Sequence, residues 1–278
     1  MLTNPKFKPL HINCDPDDLL GNQKAGRYLF LPGSNARAAS IADYFDSPAK
    51  IKRSSRGHDL YLGAITRNQV TIDVGVISTG MGAPSIDIIL TELLELGGKR
   101  FLRLGTCGLL QPDLMCGGDL AIATSAVRDE STTSCYVPLA YPAIASPEML
   151  QAIIESMANV DRAGHYHVGV FHTKASLYAR EFERGPMKQE NTQFMANLKR
   201  AGVIASEMET SVLFTLCGIA DGPCGDTGCV TNRILAGAIC SVLGEGDDFG
   251  TQEQNIRCTK DLIESGIQAF FQLKQKGL

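Results

Sequence analysis

Apolar and polar positions along the chain follow two interleaved rhythms. Short runs of β-branched and apolar residues predict strands at Tyr28–Leu31, Val70–Thr79, Phe101–Leu104, Asp119–Ser125, His165–Phe171 and Val230–Val242. Between them, helical spacing predicts Ala36–Phe45, Ser146 to about Val160, Gln189–Arg200, Ser206–Ala220 and Thr251–Lys274. Pro84 opens a further helix whose apolar face is Ile86, Ile89, Leu90, Leu93 and Leu94. Strands alternating with helices predict an α/β layered fold. No stretch is rich enough in Pro or Ser to be a linker, and no internal repeat is visible, so a single domain over residues 1–278 is expected. Leu177–Lys188 is polar and irregular and reads as a mobile flap.

Composition narrows the function. With 44% hydrophobic and 20% charged residues the chain has the make-up of a soluble globular domain rather than a disordered one. No apolar run reaches the roughly 18–20 residues that span a bilayer. The opening Met1-Leu2-Thr3-Asn4-Pro5-Lys6 lacks the apolar stretch of a signal peptide. A cytoplasmic protein with no membrane partner is expected. The net charge of −4, 6% aromatics and no Trp argue against nucleic acid as a partner. Nine cysteines, an odd number, read as reduced and mostly buried thiols. Cys224 and Cys229 flank Gly-Asp-Thr-Gly and are either loop thiols or a local pair, by disulfide or metal. His165 and His167 read as polar strand residues, and no zinc pattern or other metal site is expected.

Three glycine-containing stretches each follow a predicted strand: Gly33-Ser34-Asn35, Gly80-Met81-Gly82 and Gly105-Thr106-Cys107-Gly108. In open α/β sheets ligands collect at the carboxyl ends of strands, and a following helix N-terminus offers free N–H groups to an anion. Arg37 lies in the first turn of its helix, as a solvated residue or an anion ligand. Arg103 lies inside an apolar strand, where a guanidinium needs an anion or a carboxylate to satisfy it. Gly80–Ser85 only partly mimics a dinucleotide fingerprint, with Ser85 at the third glycine position. Ser206 and Glu209 have the spacing of a capping box; alternatively, a carboxylate at this place grips two hydroxyls of a sugar.

Taken in order, Leu31-Pro32-Gly33 with Arg37, Ser78–Ser85, Phe101–Gly108 with Arg103, and Glu207-Met208-Glu209 resemble the nucleoside phosphorylase superfamily from about His11 to the last helix. Within it, Asn232-Arg233 after Val230-Thr231 resembles the uridine-cleaving branch; the purine branch carries Ser-Asp there. The resemblance implies a single-domain three-layer α/β/α fold with a mixed central sheet, and reversible phosphorolysis of uridine to uracil and ribose 1-phosphate. Phosphate binding is implied for Gly33, Arg37, Arg103 and Thr106, with Arg56 (or its neighbour Arg53) reaching in from a second subunit. Ribose binding is implied for His11, also from a partner, and for Glu207, Met208 and Glu209. Base binding is implied for Leu177, Glu181, Arg184, Val230, Thr231 and Arg233. Arg37, Arg103 and Glu209 would be the catalytic set, inorganic phosphate a co-substrate, and no cofactor is implied. The partners implied are nucleoside, phosphate and at least one further copy of the chain.

The chain departs from the family in three places. Leu177–Arg184 stands where the family reads uracil with a Gln; it is one residue longer, has no Gln, and puts Glu181 or Phe182 at that point. An un-ionised amide both donates and accepts, which an ionised Glu cannot do. Gly57 replaces the glutamate of an interface cation site, so that cation is not expected. Asp221–Thr227 reads as an insertion. Two other readings stay open, a phosphorylase or nucleosidase for another nucleoside and a non-catalytic nucleoside-binding homologue.

Overall fold

The computed structural model describes residues 7–158, 165–222, 233–244 and 252–278. Among these residues ten strands join in one mixed sheet: β1 Tyr28–Pro32, β2 Lys50–Lys52, β3 Leu60–Arg67, β4 Val70–Ile77, β5 Arg100–Leu109, β6 Leu120–Asp129, β7 Ala143–Ile144, β8 Tyr166–Lys174, β9 Ala205–Glu207 and β10 Leu235–Val242. The helices are α1 Asn35–Ala42, α2 Ala83–Glu95, α3 Pro147–Met157, α4 Leu177–Arg180, α5 Lys188–Arg200, α6 Thr210–Asp221 and α7 Gln252–Gln275.

Residues of β1 show how the layers form. Every residue of this strand is buried, as a central parallel strand covered on both faces must be. Leu29 and Leu31 point into one core with Ile86 and Leu90 of α2 and Val212 and Leu213 of α6. Tyr28 and Phe30 point the other way, into a core with Ile41 of α1, Ile153 of α3 and Phe270 of α7. The period-2 alternation of strand side chains therefore divides the protein into three layers, α/β/α.

The sheet is open on one side of β5 and closed on the other. β1, β4, β3 and β2 follow one another outward from β5. On the other side β5 pairs with β10, β10 with β6, β6 with β8, β8 with β9, and β9 returns antiparallel to β5 at Gly108↔Ser206 and Leu109↔Ala205. Five strands thus form a ring, and β5 belongs to both the ring and the open sheet.

The structure differs from the sequence pattern at informative places. The glycine stretch after Leu104 is not a turn: β5 runs straight through it. Its glycines make room for side chains lying on the strand. A Cβ at Gly105 would stand 2.8 Å from Arg103 Nη2, and one at Gly108 only 1.8 Å from Glu181 Oε1. Ser206 starts no helix, because Ala205–Glu207 is recruited as β9 and α6 begins at Thr210. The β3–β4 hairpin carries no clear sequence signal, because its turn residues, Asn68 and Gln69 at φ +48° and +65°, lack the usual glycine. His165 lies before β8, and both His165 and His167 face Asp119, at 3.4 and 3.2 Å. The expected flap contains α4 and leads into α5. Cys224 and Cys229 lie outside the described residues, as does all of the expected insertion except Asp221 and Gly222.

Phe270 is fully buried, with its ring centroid 4.9 Å from Tyr28 and 4.5 Å from Phe30. Phe270→Ala is expected to lower stability by roughly 3–5 kcal/mol. Urea denaturation checks this, and an unchanged midpoint would contradict the assignment of α7 to the core.

Candidate active site

A cavity of about 280 Å³ opens at the carboxyl ends of β1, β5 and β10, bounded on the other side by β8, β9 and the segment after β8. Gly33, Arg37, Arg103, Thr106, Leu177, Glu181, Glu207, Met208 and Glu209 all line it, so the structure brings nine of the residues singled out in the sequence to one place.

Arg103 is the organising group. It leaves β5 nearly inaccessible to water, donates through Nε to Glu207 at 3.0 Å, and forms an ion pair through Nη2 with Glu209. Its Nη1 is buried with no hydrogen-bond partner. Burial works against its charge, but the carboxylates of Glu209 and Glu207 overcome that and hold its pKa above the ordinary arginine value. Arg37 of α1 comes close from the other side. Its N–H is capped by Ser34, its Nη1 reaches the Leu104 carbonyl at 3.4 Å, and among the described residues no carboxylate pairs with it. Burial, and then the nearby charge of Arg103, lower its pKa. Two neighbouring guanidinium groups, one with an unmet buried N–H and one without a counter-ion, form a site built for an anion.

The two glutamates differ sharply. Glu207 accepts from Arg103, from Thr173 Oγ1 at 2.6 Å and from the N–H groups of Glu209 and Thr210. Burial alone would raise its pKa; Arg103 first, then these hydrogen bonds, bring it below the usual carboxylate value. Its carboxylate fixes Arg103 and starts α6, which accounts for a helix start that needs no Ser206 cap. Glu209 accepts from Arg103 and from the Gly82 N–H. For Glu209 burial prevails over the attraction of Arg103, and its pKa is raised. Of the two, Glu209 keeps acceptor capacity free for a ligand.

At the other end of the cavity Lys174, at the end of β8, forms a buried ion pair with Glu181 at 2.5 Å and donates to Ser206 Oγ at 3.0 Å. Ser206 in turn meets His172, whose far nitrogen reaches Asp129 at 2.9 Å, and Asp129 is held by both Nε and Nη2 of Arg180. This chain of contacts pins the segment that carries Glu181. Among the described residues no group of three or more His, Cys, Asp or Glu is arranged to hold a metal ion.

Residues 27–260 match the phosphorylase superfamily. The chain belongs to that family. It is 31% identical to a uridine phosphorylase of Treponema pallidum, over 93% of this chain and 92% of the relative. It is 28% identical to a guanosine phosphorylase of Halorubrum lacusprofundi, over 86% and 88%. A solved uridine phosphorylase from Vibrio fischeri, in complex with 6-hydroxy-1-naphthoic acid, shares the fold with a TM-score of 0.70 and 24% identity, over 97% of this chain and 96% of that one.

Three expected residues are placed otherwise. Arg233 is not at the cavity. The parallel register Leu235↔Arg100 puts it beyond the amino end of β5, where it binds Asp221 and Glu148. The eight residues of β10, at about 3.3 Å each, separate it from the cavity end by more than about 20 Å. Arg184 is exposed, its guanidinium 5.7 Å from the ring centre of Tyr178, because the backbone turns back at Glu183 (φ +53°). Glu207 lines the cavity but is occupied by protein donors, as described. Of the family's missing Gln, Glu181 rather than Phe182 supplies the polar atoms at the cavity's far end, and both line it. Val230 and Thr231 lie outside the described residues.

His11 and Arg56 do not line this chain's own cavity but sit together. Ser54 Oγ donates to the His11 carbonyl at 2.6 Å and accepts the Arg56 N–H at 3.1 Å. The His11 ring is held by Glu92 at 2.7 Å, and Arg53 is engaged by Asp59, while Arg56 is exposed. Lys174, Leu243 and Gly244 also line the cavity although no sequence motif singled them out, as does Ser206, which the spacing offered only as a helix cap. Lys174 could have been found as Arg103 was, because a cation closing an apolar strand also needs a partner.

Acid should weaken this architecture. For Glu92, Asp129 and Glu207 burial favours the neutral form, yet hydrogen bonds and neighbouring cations outweigh it and lower each pKa. Their stabilisation is complete above the ordinary carboxylate value of about 4 and is lost as pH falls through the lowered folded values. The raised Glu209 opposes this trend in part. The denaturation midpoint should fall below about pH 4. Glu207→Gln should cost about 3 kcal/mol or more by leaving Arg103 under-compensated, and should flatten the acid limb. A midpoint insensitive to acid in the unmodified protein would contradict this.

Proposed function

We propose that this chain is a nucleoside phosphorylase that carries out the reversible phosphorolysis of uridine, giving uracil and ribose 1-phosphate. The observation that carries the reading is the pair of guanidinium groups, Arg37 and Arg103, with the buried Nη1 of Arg103 unmet. Phosphate sits between them, with Gly33 and Thr106 beside it. The ribose lies above, its 2′- and 3′-hydroxyls donating to Glu209 and its face against Met208. The C1′–N1 bond breaks with both electrons passing to the base. A phosphate oxygen then bonds to C1′, and the proton carried by the hydrogenphosphate passes to N1 of the uracil anion, giving neutral uracil. The phosphate charge stabilises the oxocarbenium character that develops between these events, so rate comes from positioning and electrostatics, with no covalent enzyme intermediate. A nucleosidase, which uses water, has no use for two arginines around an anion, and this favours phosphorolysis over hydrolysis.

Arg56 and His11 complete the site of a second copy. Their common attachment to Ser54, away from this chain's own cavity, supports at least a homodimer with shared sites. Seven free cysteines among the described residues fit a cytoplasmic setting.

Arg103 is a poor probe of phosphate binding, since its removal would strand two buried carboxylates. Arg37 is better: Arg37→Ala should raise the KM for phosphate about 100-fold or more, with thermal stability and nucleoside KM little changed. Assays of uridine, thymidine, inosine and adenosine, each with and without phosphate, test the reaction class. Cleavage at equal rates without phosphate would overturn the proposal.

A further inference from the structure

We infer that the Lys174–Glu181 ion pair reads the base, and that it selects bases carrying a ring N–H beside a C=O over those carrying a bare ring nitrogen beside an amino group. The inference rests on the phosphorylase reading above for the identity of the ligand. Its argument starts from β5. Gly105 lies against the Arg103 guanidinium and Gly108 lies against the Glu181 carboxylate. Three residues of strand, about 10 Å, therefore separate the cationic anion site from the ion pair along β5, and Met208 and Glu209 line the same cavity. That is the span from a phosphate, across a pentose, to the outer edge of a base. Leu177 and Phe182 supply apolar wall at the ion-pair end.

The pair has unused capacity. Lys174 has three donors and, among the described residues, its ammonium meets Glu181 and Ser206 alone. Glu181 Oε2 is buried and, although close to Lys174, makes no aligned hydrogen bond. The two side chains are 3% and 8% exposed, so water does not blunt what they read. An acceptor and a donor side by side match uracil, which sets its N3–H on Glu181 and a neighbouring carbonyl on Lys174. Hypoxanthine and guanine offer the same N–H and C=O pair. Cytosine and adenine invert it: a ring lone pair meets the carboxylate and an amino group meets the ammonium, and both contacts are repulsive. Two charged groups thus perform the double duty of one amide. They also cannot flip to accept the wrong base, because each has only one polarity.

The test measures kcat/KM at saturating phosphate for uridine against cytidine and for inosine against adenosine, in the unmodified protein, Glu181→Gln and the double variant Lys174→Met/Glu181→Leu. The double variant leaves no lone buried charge, so it guards against a misfolded single variant. The unmodified protein should favour each oxo base over its amino counterpart by about 1,000-fold or more, as polar pockets with mismatched partners do. Glu181→Gln, whose amide can rotate, should narrow that ratio at least about tenfold. The double variant should bring it close to one and raise the uridine KM, with the phosphate KM unmoved. An unaltered ratio in both variants, or a phosphate KM that shifts in step with the ratio, would overturn the inference while leaving phosphorolysis intact. Absence of phosphate-dependent cleavage of every nucleoside would instead overturn the phosphorylase reading. Calorimetry of free uracil against cytosine then decides the ion pair separately: a preference for uracil that Glu181→Gln weakens supports it, and equal binding of both bases refutes it.

Discussion

A guanidinium sealed inside a β-sheet is the constraint from which the rest of the site follows. Arg103 enters the interior from β5, and its cost there is met by two carboxylates on the far wall. To receive it, β5 must carry a glycine two residues on. β9 must pair with β5 so that Glu207 lies within reach, and α6 must start where Glu207 can accept its first N–H groups. The closed ring of strands holds these parts in register. The Nη1 of Arg103 is left buried without a hydrogen-bond partner in the protein, the capacity that the proposed phosphate would use.

The neighbouring carboxylates show how one environment gives two behaviours. Glu207 is saturated by protein donors and held ionised; its work is to position Arg103. Glu209 has fewer partners, and burial shifts it towards the neutral form. In the proposed reaction, a group balanced in this way would exchange its contact with Arg103 for the sugar hydroxyls. Phosphate at Arg103 and Arg37 would in that reaction share the arginine charge that pairs with Glu209, which would couple the two substrates through a single side chain.

Much of this is legible in the sequence. The alternation at Tyr28–Leu31 fixes a buried central strand and the two cores beside it. Arg103 is found because a cation in an apolar run demands a partner. Identity of neighbouring letters is a weaker guide. Asn232-Arg233 resembles a base-reading motif, yet the strand register sets Arg233 at the wrong end of β10. Arg184 fails for a local reason, a backbone turn that no residue pattern announced. Glu207 and Glu209 are two places apart and equally acidic on paper; only the pairing of β9 separates a structural carboxylate from one open to ligand. Lys174 carries the same signal as Arg103, a cation at the end of a strand, but its partner Glu181 lies in a segment read as irregular.

The central claim is an oxyanion held between Arg103 and Arg37. A crystal structure of the protein grown with phosphate, and of Arg37→Ala under the same conditions, tests it most directly. The account predicts phosphate within hydrogen-bond distance of Arg103 Nη1 and of the Arg37 guanidinium in the first, and its loss or weak occupancy in the second. Phosphate bound elsewhere, with Arg103 Nη1 still unmet, would contradict it.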